Sequence, residues 1–525
     1  MTFASHFHCP SLSAQQMLSF HQLQHQLRER WQTESALEKD NCDILVLPSF
    51  SLDQQVGQKV AGFLHYEERL LFSLIRLRNP NTRLIYVTSQ PLSPLIVEYY
   101  LQLLAGIPFS HARNRLLLLT PYDNSFQPLT QKILDRPRLI ERIRQALRPQ
   151  RSYIVCFNAT PLEAELSLQL QVPLFASSPV LNYWGSKSGS REIFAEVNIP
   201  YPDGSAQERS VEGLIEAAIA LWQRQPQLKK MLIKLNEGFS GEGNVVVTLP
   251  PLPPSYSEQK ECIYSQLPHL CFPAQGETWE SFSRRIPELG AIVEAFVEGE
   301  ESRSPSVQGY INPKGEVSIL STHDQILGGP DQQIYLGCRF PAASSYRLEL
   351  QKLGLKVGEA LAKKGALERF GVDFMALRRG NSWELAAIEI NLRKGGTTHP
   401  FMTLKLLTNG RYNPATGLFY SQEGRAKYYL ASDNLQKNQY RGLLPDDLMD
   451  IIATHHLHFD SSTQTGTLFH LMGALSEFGK LGLTCIGNSA AEAEALYQRV
   501  EGCLDQETSW LLGEHRGARP AMLGW

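Results

Sequence analysis

The chain has 525 residues, of which 42% are hydrophobic and 20% are charged, and its formal net charge is −3. This length predicts about three domains, each with its own core, and the composition is that of an ordinary globular protein. Because the chain has no excess of positive charge, nucleic acid is excluded as the expected partner.

The cysteines and the N-terminal residues indicate a cellular compartment. The eight cysteines are dispersed, without the spacing of a zinc site or the density of a disulfide framework. The N-terminal residues lack a basic start followed by an apolar core, and no apolar run reaches the length of a membrane span. The sequence therefore predicts a cytoplasmic protein with reduced thiols that is neither exported nor embedded in a membrane.

The first third of the chain alternates between strand-like and helix-like segments. After an amphipathic helix within residues 11–40, short apolar segments occur at 43–50, 83–88, 114–120, 152–157 and 172–176. Helical candidates separate them near 59–77, 93–105, 129–147 and 161–170. This order predicts a Rossmann-like parallel sheet covered by helices on both sides. The first strand is followed by Pro48–Ser51 and not by a glycine-rich phosphate loop, so we predict a scaffold or substrate-side domain.

Two lysines then follow in settings that favour anions. Lys187 lies in a Gly/Ser-rich loop that leads into a helix through 192–197, and a helix N-terminus attracts negative charge. Lys234 lies near the end of a strand that precedes Gly238, Gly241 and Gly243. These glycines would let the backbone fold closely over phosphates. An ordinary hairpin with a flexible tip is the alternative for this second segment.

The segment 291–301 alternates apolar and acidic residues, which predicts a strand that runs into a linker. Its extended backbone could offer a carbonyl and an N–H group to an adenine edge, while Glu301 could hold ribose hydroxyls. A solvated edge strand is the alternative interpretation.

Two strand-like runs, 370–377 and 386–393, flank a turn at 378–382 and predict an antiparallel hairpin. A loop of odd length centred on Asn381 would set Asp373 opposite Glu389, with Asn391 and Arg393 on the same face. Two carboxylates and an amide are hard oxygen ligands suited to Mg²⁺. Arg393 would then reach a phosphate or carboxylate beside the metal. A surface hairpin with scattered charges is the alternative.

In this order, the two lysines, the glycine-rich loop, the Val-Glu-x-Phe-x-x-Gly segment and the Asp…Glu-x-Asn hairpin resemble the ATP-grasp superfamily. The resemblance covers residues 183–410. The continuation 393–400 (RKGGTTHP) and residues 465–489 are similar to the carboxylate–amine ligases of the pheganomycin-type peptide ligase group. The resemblance implies a pre-ATP-grasp α/β domain (1–182), an α+β ATP-grasp domain with the nucleotide and metal site (183–410), and a small C-terminal α/β domain (411–525).

The resemblance also implies roles for individual residues. Those for ATP are Lys187 and Lys234 at the phosphates, Gly238, Ser240, Gly241 and Gly243 in a loop that closes over them, and Glu294, Ala295, Val297 and Glu301 at the adenosine. The metal ligands would be Asp373, Glu389 and Asn391, for Mg²⁺ or alternatively Mn²⁺. The catalytic candidates are Arg393, which would stabilise the transferred phosphoryl group, and Arg339, which with His323 would hold substrate carboxylates in the loop 321–341. For Arg339 and His323 a structural role is the alternative.

The reaction implied by the resemblance is ATP-dependent activation of a carboxylate as an acylphosphate. An amine, from an amino acid or a peptide, would capture this intermediate and release phosphate. The alternatives are a phosphotransferase and a nonenzymatic nucleotide-binding regulator. The expected partners are small-molecule substrates, without nucleic acid or membrane, and homo-oligomerisation is left open.

Overall fold

The computed structural model describes residues 12–33, 41–51, 60–104, 106–148, 150–237, 243–272, 276–328 and 334–509. Within these ranges the α-helices are α1 Ala14–Thr33, α2 Pro94–Gln102, α3 Phe109–Arg113, α4 Leu129–Leu134, α5 Pro137–Ala146, α6 Pro161–Leu170, α7 Lys187–Glu196, α8 Val211–Arg224, α9 Tyr256–Gln266, α10 Trp279–Ser283, α11 Ile286–Leu289, α12 Arg347–Lys363, α13 Thr398–Thr408, α14 Pro445–Thr454, α15 Leu475–Phe478 and α16 Ala490–Ser509. Short 3₁₀ helices occur at Phe63–Arg78, Pro179–Gly185, Leu267–His269, Asn438–Tyr440 and Met472–Ala474.

The strands in the same ranges are β1 Asp43–Leu47, β2 Arg83–Val87, β3 Leu116–Leu119, β4 Ser152–Cys156, β5 Lys230–Leu235, β6 Asn244–Thr248, β7 Ala291–Ala295, β8 Ser302–Arg303, β9 Pro305–Ile311, β10 Val317–Gly328, β11 Ile334–Phe340, β12 Glu368–Arg379, β13 Ser382–Asn391, β14 Arg411–Asn413, β15 Leu418–Tyr420, β16 Ala426–Gln436, β17 Gly466–His470 and β18 Lys480–Gly487. No helix in the described ranges is both long enough and apolar enough to cross a bilayer.

The chain divides into two compact units whose segments alternate along the sequence. Unit 1 comprises 1–42, 140–398 and 412–418, and unit 2 comprises 43–139, 399–411 and 419–525. The division into domains at residues 182 and 410 stays a prediction.

Unit 2 contains the predicted parallel sheet. β1 pairs in parallel with β2, and β2 with β3, so Leu84 lies between Ile44 and Leu116. The predicted helix over 129–147 is divided into α4 and α5, because Pro137 cannot donate a helical N–H bond. An antiparallel sheet of β17, β18 and β16 completes the unit, and α16 packs on β16 and β18.

Unit 1 contains two further sheets. A small antiparallel sheet in the order β6–β5–β7 packs against α8 around the buried Trp222. A larger antiparallel sheet runs β13–β12–β9–β10–β11, and residues of α7 and α12 share a core with one of its faces. The predicted strand over 172–176 is reduced to a single parallel bridge between Leu174 and Ile154 of β4. Because side chains alternate between the faces of a strand, the polar residues of β12 and β13 lie on the face opposite that core.

Candidate active site

The hairpin of β12 and β13 places Asp373 directly opposite Glu389, as the sequence predicts. The predicted loop of odd length is wrong, because Arg379 pairs with Ser382 and the turn contains only Gly380 and Asn381. Gly380 has a φ of 59°, which glycine adopts without a steric penalty. The register shifts by one residue between Asp373 and Phe374, so a β-bulge brings the two acids opposite each other.

The amide groups beside the two acids connect them into one cluster. Asn391 Nδ2 donates to Asp373 Oδ2 over 2.9 Å and lies 3.4 Å from Glu389 Oε1. Gln325 of β10 donates from Nε2 to Asp373 Oδ1 over 2.7 Å. The carboxylates and the two amides therefore share one face of the large sheet.

The pKa values of the two acids are shifted in opposite directions. Burial and then the charge of Glu389 raise the pKa of Asp373 to about 7, against the opposing charges of Lys187 and Arg393. Burial also acts to raise the pKa of Glu389, but the charges of Lys187 and Arg393 outweigh burial and hold that pKa below its usual range. The two acids therefore resist simultaneous ionisation unless another cation neutralises them.

Lys187 reaches this cluster from the first residue of α7. Its Nζ donates to Glu389 Oε2. The helix begins there because the Ser186 side chain caps it by accepting a bond from Gly189 N over 3.1 Å. A Cβ atom at Gly189 would lie 2.0 Å from Tyr183 O, so only glycine fits this approach. The helix begins five residues earlier than the predicted span 192–197, which places Lys187 at a helix N-terminus.

Lys234 lies at the end of β5 and is buried. Its Nζ donates to Glu294 Oε2 on the neighbouring strand β7, and Arg191 Nη1 donates to Glu294 Oε1 over 3.1 Å. The charge of Lys234 also lowers the pKa of Glu389, so both lysines act on the same acid. Glu294 therefore has two cations as side-chain partners, and its predicted place at the adenosine stays a prediction.

Arg393 lies two residues after the end of β13. Its charge lowers the pKa values of both Asp373 and Glu389. The arginine therefore belongs electrostatically to the cluster that the sequence predicts around it.

Arg339 lies on strand β11, so the predicted loop over 321–341 is wrong at this position. It pairs in register with Asp324, which is bonded to Tyr346 Oη at 2.6 Å and to Ala343 N at 2.8 Å. Neighbouring residues on a strand point to opposite faces, so the exposed Arg339 faces away from His323. His323 is fully buried in the sheet row of Asp373 and Ser306, and burial lowers its pKa to about 3, so its ring is neutral.

The remaining residues that are predicted to bind the nucleotide lie in different surroundings. Ala295 is buried, and Val297 lines a pocket of about 480 Å³ together with Tyr201, Tyr346 and Trp383. Glu301 is partly exposed and forms ion pairs with Arg303 and Arg378. Gly243 is described and buried, and its carbonyl accepts from Leu235 N over 2.8 Å. Gly238, Ser240 and Gly241 lie outside the described residues.

Three residues of the site were missed by sequence reasoning. They are Gln325, which bonds to Asp373; Arg191, which bonds to Glu294; and Asn236, whose Oδ1 accepts from Ser188 N over 2.8 Å and whose carbonyl accepts from Lys187 N over 3.1 Å. The available signal for Gln325 and Asn236 was a polar residue in or after an apolar strand, and for Arg191 a charged residue in a helix. Neither signal identifies the partner. Such partners become visible only when the strand register is known.

The donors of the hairpin fit a magnesium ion. The described residues contain no group of three or more His, Cys, Asp or Glu side chains that could hold a metal, so a cage made only of such ligands is absent from them. Two carboxylates and an amide on one face match the way Mg²⁺ takes few protein ligands and completes its shell with water and phosphate.

Comparisons with known proteins identify relatives over most of the chain. The family model IQCH-like, ATP-grasp matches residues 178–267 and 254–414, and the PGM1 C-terminal domain model matches residues 447–500. The L-propargylglycine--L-glutamate ligase of Streptantibioticus cattleyicolor is 30% identical over 470 residues, covering 88% of this chain and 93% of that protein. IQ motif-containing protein H of Danio rerio is 23% identical over 450 residues, covering 76% of this chain and 42% of that protein.

A solved structure gives the same result for the fold. Pyruvate carboxylase of Rhizobium etli has a TM-score of 0.50 at 14% identity, covering 87% of this chain and 37% of that chain. At this level of identity the likeness concerns the fold alone.

Proposed function

Because this chain belongs to the ATP-grasp superfamily of carboxylate–amine ligases and is similar to the pheganomycin-type peptide ligases, we propose that the cluster around Asp373 and Glu389 is its nucleotide site. The chain is an ATP-dependent ligase that forms C–N bonds. The observation that carries the proposal is the convergence of Lys187, Asp373, Glu389 and Asn391 on one face of the hairpin.

The two lysines bind the triphosphate in this proposal. Lys187 and Lys234 are each held by a carboxylate, Glu389 and Glu294 respectively, so their positions are fixed before the nucleotide arrives. When the phosphates bind, their oxygens become additional acceptors for these ammonium groups. Val297 and Glu301 contact the adenosine, and Gly238, Ser240, Gly241 and Gly243 cover the phosphates.

Asp373, Glu389 and Asn391 would hold Mg²⁺, or Mn²⁺ in its place. Bound there, the ion would supply positive charge that neutralises the phosphates and polarises a phosphorus–oxygen bond. The same charge relieves the repulsion between Asp373 and Glu389.

Arg393 acts on the group being transferred. A substrate carboxylate oxygen attacks the γ-phosphorus, the bond to ADP breaks, and an acylphosphate forms. The guanidinium of Arg393 stabilises the negative charge on the transferred phosphoryl group. The amine nitrogen then attacks the acyl carbon, phosphate leaves, and the amine loses a proton.

The substrate class follows from the relative. That protein is named for ligation of L-propargylglycine and L-glutamate, so we propose two amino acids, or an amino acid and a short peptide, as substrates here.

A matrix of amino acids and dipeptides with Mg-ATP tests this proposal. A ligase releases both ADP and phosphate, and only when carboxylate and amine are present together. ADP release without free phosphate would identify a phosphotransferase, and nucleotide binding without turnover in any combination would identify a regulator. Either result contradicts the proposal.

A further inference from the structure

The segment 394–398, which follows the hairpin of β12 and β13, is held by hydrogen bonds of Lys394. The backbone N–H of Lys394 donates to Phe157 O at the end of β4 over 3.2 Å. Its Nζ donates to Glu368 Oε2 over 2.9 Å, and the two side chains are only 5% and 10% exposed. Lys394 is therefore held by both its backbone and its side chain.

The same acid lies at the start of a chain of polar contacts to the rest of the segment. Arg369 Nε lies 3.4 Å from Glu368 Oε1, and Arg369 Nη1 donates to Gln308 Oε1 over 3.3 Å. Gln308 Nε2 donates to Thr397 Oγ1 over 2.6 Å, and Thr398 Oγ1 donates to Gln308 Oε1 over 3.3 Å. These contacts connect the start of β12 to both ends of the segment 394–398.

The backbone of Glu368 supports a role for its side chain. Its φ is +73°, in the left-handed region that favours glycine. A residue with a Cβ persists there when the surrounding structure holds it in place. The buried carboxylate, bonded to Lys394 Nζ and to Arg369 N over 2.9 Å, provides that restraint.

Arg393 lies between two fixed neighbours. Leu392 is buried in the core of the large sheet, and Lys394 is held by Glu368 and Phe157. We propose that Glu368 is a positioning residue that acts through Lys394 to aim the Arg393 guanidinium at the γ-phosphate. This inference rests on the proposed function, because it assigns Arg393 to the transferred phosphoryl group.

Nucleotide binding tests the inference without knowledge of the carboxylate or amine. The measurement is the ratio of dissociation constants for ADP and the nonhydrolysable ATP analogue AMP-PNP, both with Mg²⁺, by calorimetry on the full chain. Glu368→Gln is expected to lower the preference for AMP-PNP by about 10-fold while ADP binding is retained, as is typical for loss of a supporting contact. Glu368→Gly, which suits the positive φ and is expected to fold, should give the same loss.

A double-mutant cycle separates positioning from independent effects. If Glu368 acts through Arg393, then Glu368→Gln should change the ratio little in the Arg393→Ala background. Additive losses would overturn the inference. Lys394→Arg, which retains the charge that faces Glu368, should preserve most of the preference, whereas Lys394→Met should not.

A matched control addresses general loss of stability. The side chain of Glu277 is 3% exposed and pairs with Arg285 at 2.8 Å elsewhere in unit 1, so Glu277→Gln should lower thermal stability without altering the ratio. An unchanged ratio in Glu368→Gln and Glu368→Gly would overturn the positioning role. If the wild-type protein shows no preference for AMP-PNP over ADP, the assignment of Arg393 to the γ-phosphate fails instead.

Discussion

Two buried charge clusters in this protein contain similar groups, but the pKa of an aspartate is raised in one cluster and lowered in the other. In unit 1, Asp373 and Glu389 face each other, and the pKa of Asp373 rises to about 7. In unit 2, Asp433 accepts a bond from Arg69 Nη2, and His470 Nε2 lies 2.6 Å from its other oxygen. Burial acts to raise the pKa of Asp433, but Arg69 and His470 hold that pKa well below its usual range.

The difference indicates what each cluster is for. The carboxylate of Asp433 has its opposite charge within the fold, so it stabilises the native state. The acid pair of unit 1 sets two like charges opposite each other, and the pKa of Asp373 stays raised despite the nearby Lys187 and Arg393. Such strongly perturbed groups are concentrated at functional sites. We therefore expect substitutions at the two clusters to separate activity from stability.

The largest effect is expected for Glu389→Gln. The loss of one metal-binding carboxylate and of the partner of Lys187 should lower turnover by about 1,000-fold or more. The protein should stay folded, because the residue faces the polar side of the hairpin. Steady-state ADP release and thermal unfolding measure both outcomes; a large fall in melting temperature would contradict the placement of Glu389.

Asp433→Asn should show the reverse pattern. Removal of the charge leaves Arg69 buried without its full ion pair, which costs about 3–5 kcal/mol of unfolding free energy. Urea unfolding measures this cost. Turnover per folded molecule should remain within a few-fold of wild type. A loss of turnover as large as that of Glu389→Gln would contradict the separate roles of the two clusters.

Asp373→Asn should stabilise the metal-free protein while it abolishes function. The substitution removes the repulsion with Glu389. We therefore expect the free energy of unfolding to rise by about 1 kcal/mol at neutral pH, as is common when a functional site is neutralised. Melting temperatures with and without MgCl₂ measure this gain. The wild type should be stabilised by Mg²⁺ and the variant much less; equal stabilisation would exclude Asp373 as a ligand.

The smallest effect concerns Glu67 in unit 2, which accepts from Ser89 Oγ over 2.7 Å. Burial raises its pKa from 4.5 to about 7. The folded state therefore binds more protons than the unfolded state between these values, and stability from this group falls as the pH rises through that window. The free energy of unfolding of Glu67→Gln, taken relative to wild type, should be about 1 kcal/mol higher at pH 8 than at pH 5. Unfolding free energies at the two pH values test this sign.

Local sequence patterns predicted the strands of the parallel sheet in unit 2 and the shared face of the hairpin acids. Alternation along β12 and β13 assigns Asp373, Glu389 and Asn391 to one face, and the structure confirms that arrangement. A two-residue turn alone would not set Asp373 opposite Glu389; the one-residue bulge between Asp373 and Phe374 restores that pairing. Alternating residues do not reveal a bulge, so the sequence predicts the right pairing from a wrong loop length.

Pairings between distant strands could not be predicted. The face of Arg339 depends on the register of β10 and β11, and the partner of Lys234 lies on β7, 60 residues along the chain. Nothing in the local sequence reports these registers, so the face of Arg339 and the ion pair between Lys234 and Glu294 cannot be read from it. The roles of Arg339 and Glu294 in ligand binding stay predictions.

The alternation of the two units along the chain has a consequence for synthesis. The parallel strands of unit 2 end at Leu119, whereas its antiparallel strands begin at Phe419 of β15, about 300 residues later. At roughly 5–20 residues per second, a ribosome needs on the order of 15–60 s to cover that interval. The early half of unit 2 must therefore wait for its later strands while the whole 140–398 segment of unit 1 emerges, which makes this interval the period in which chaperones would protect the nascent protein.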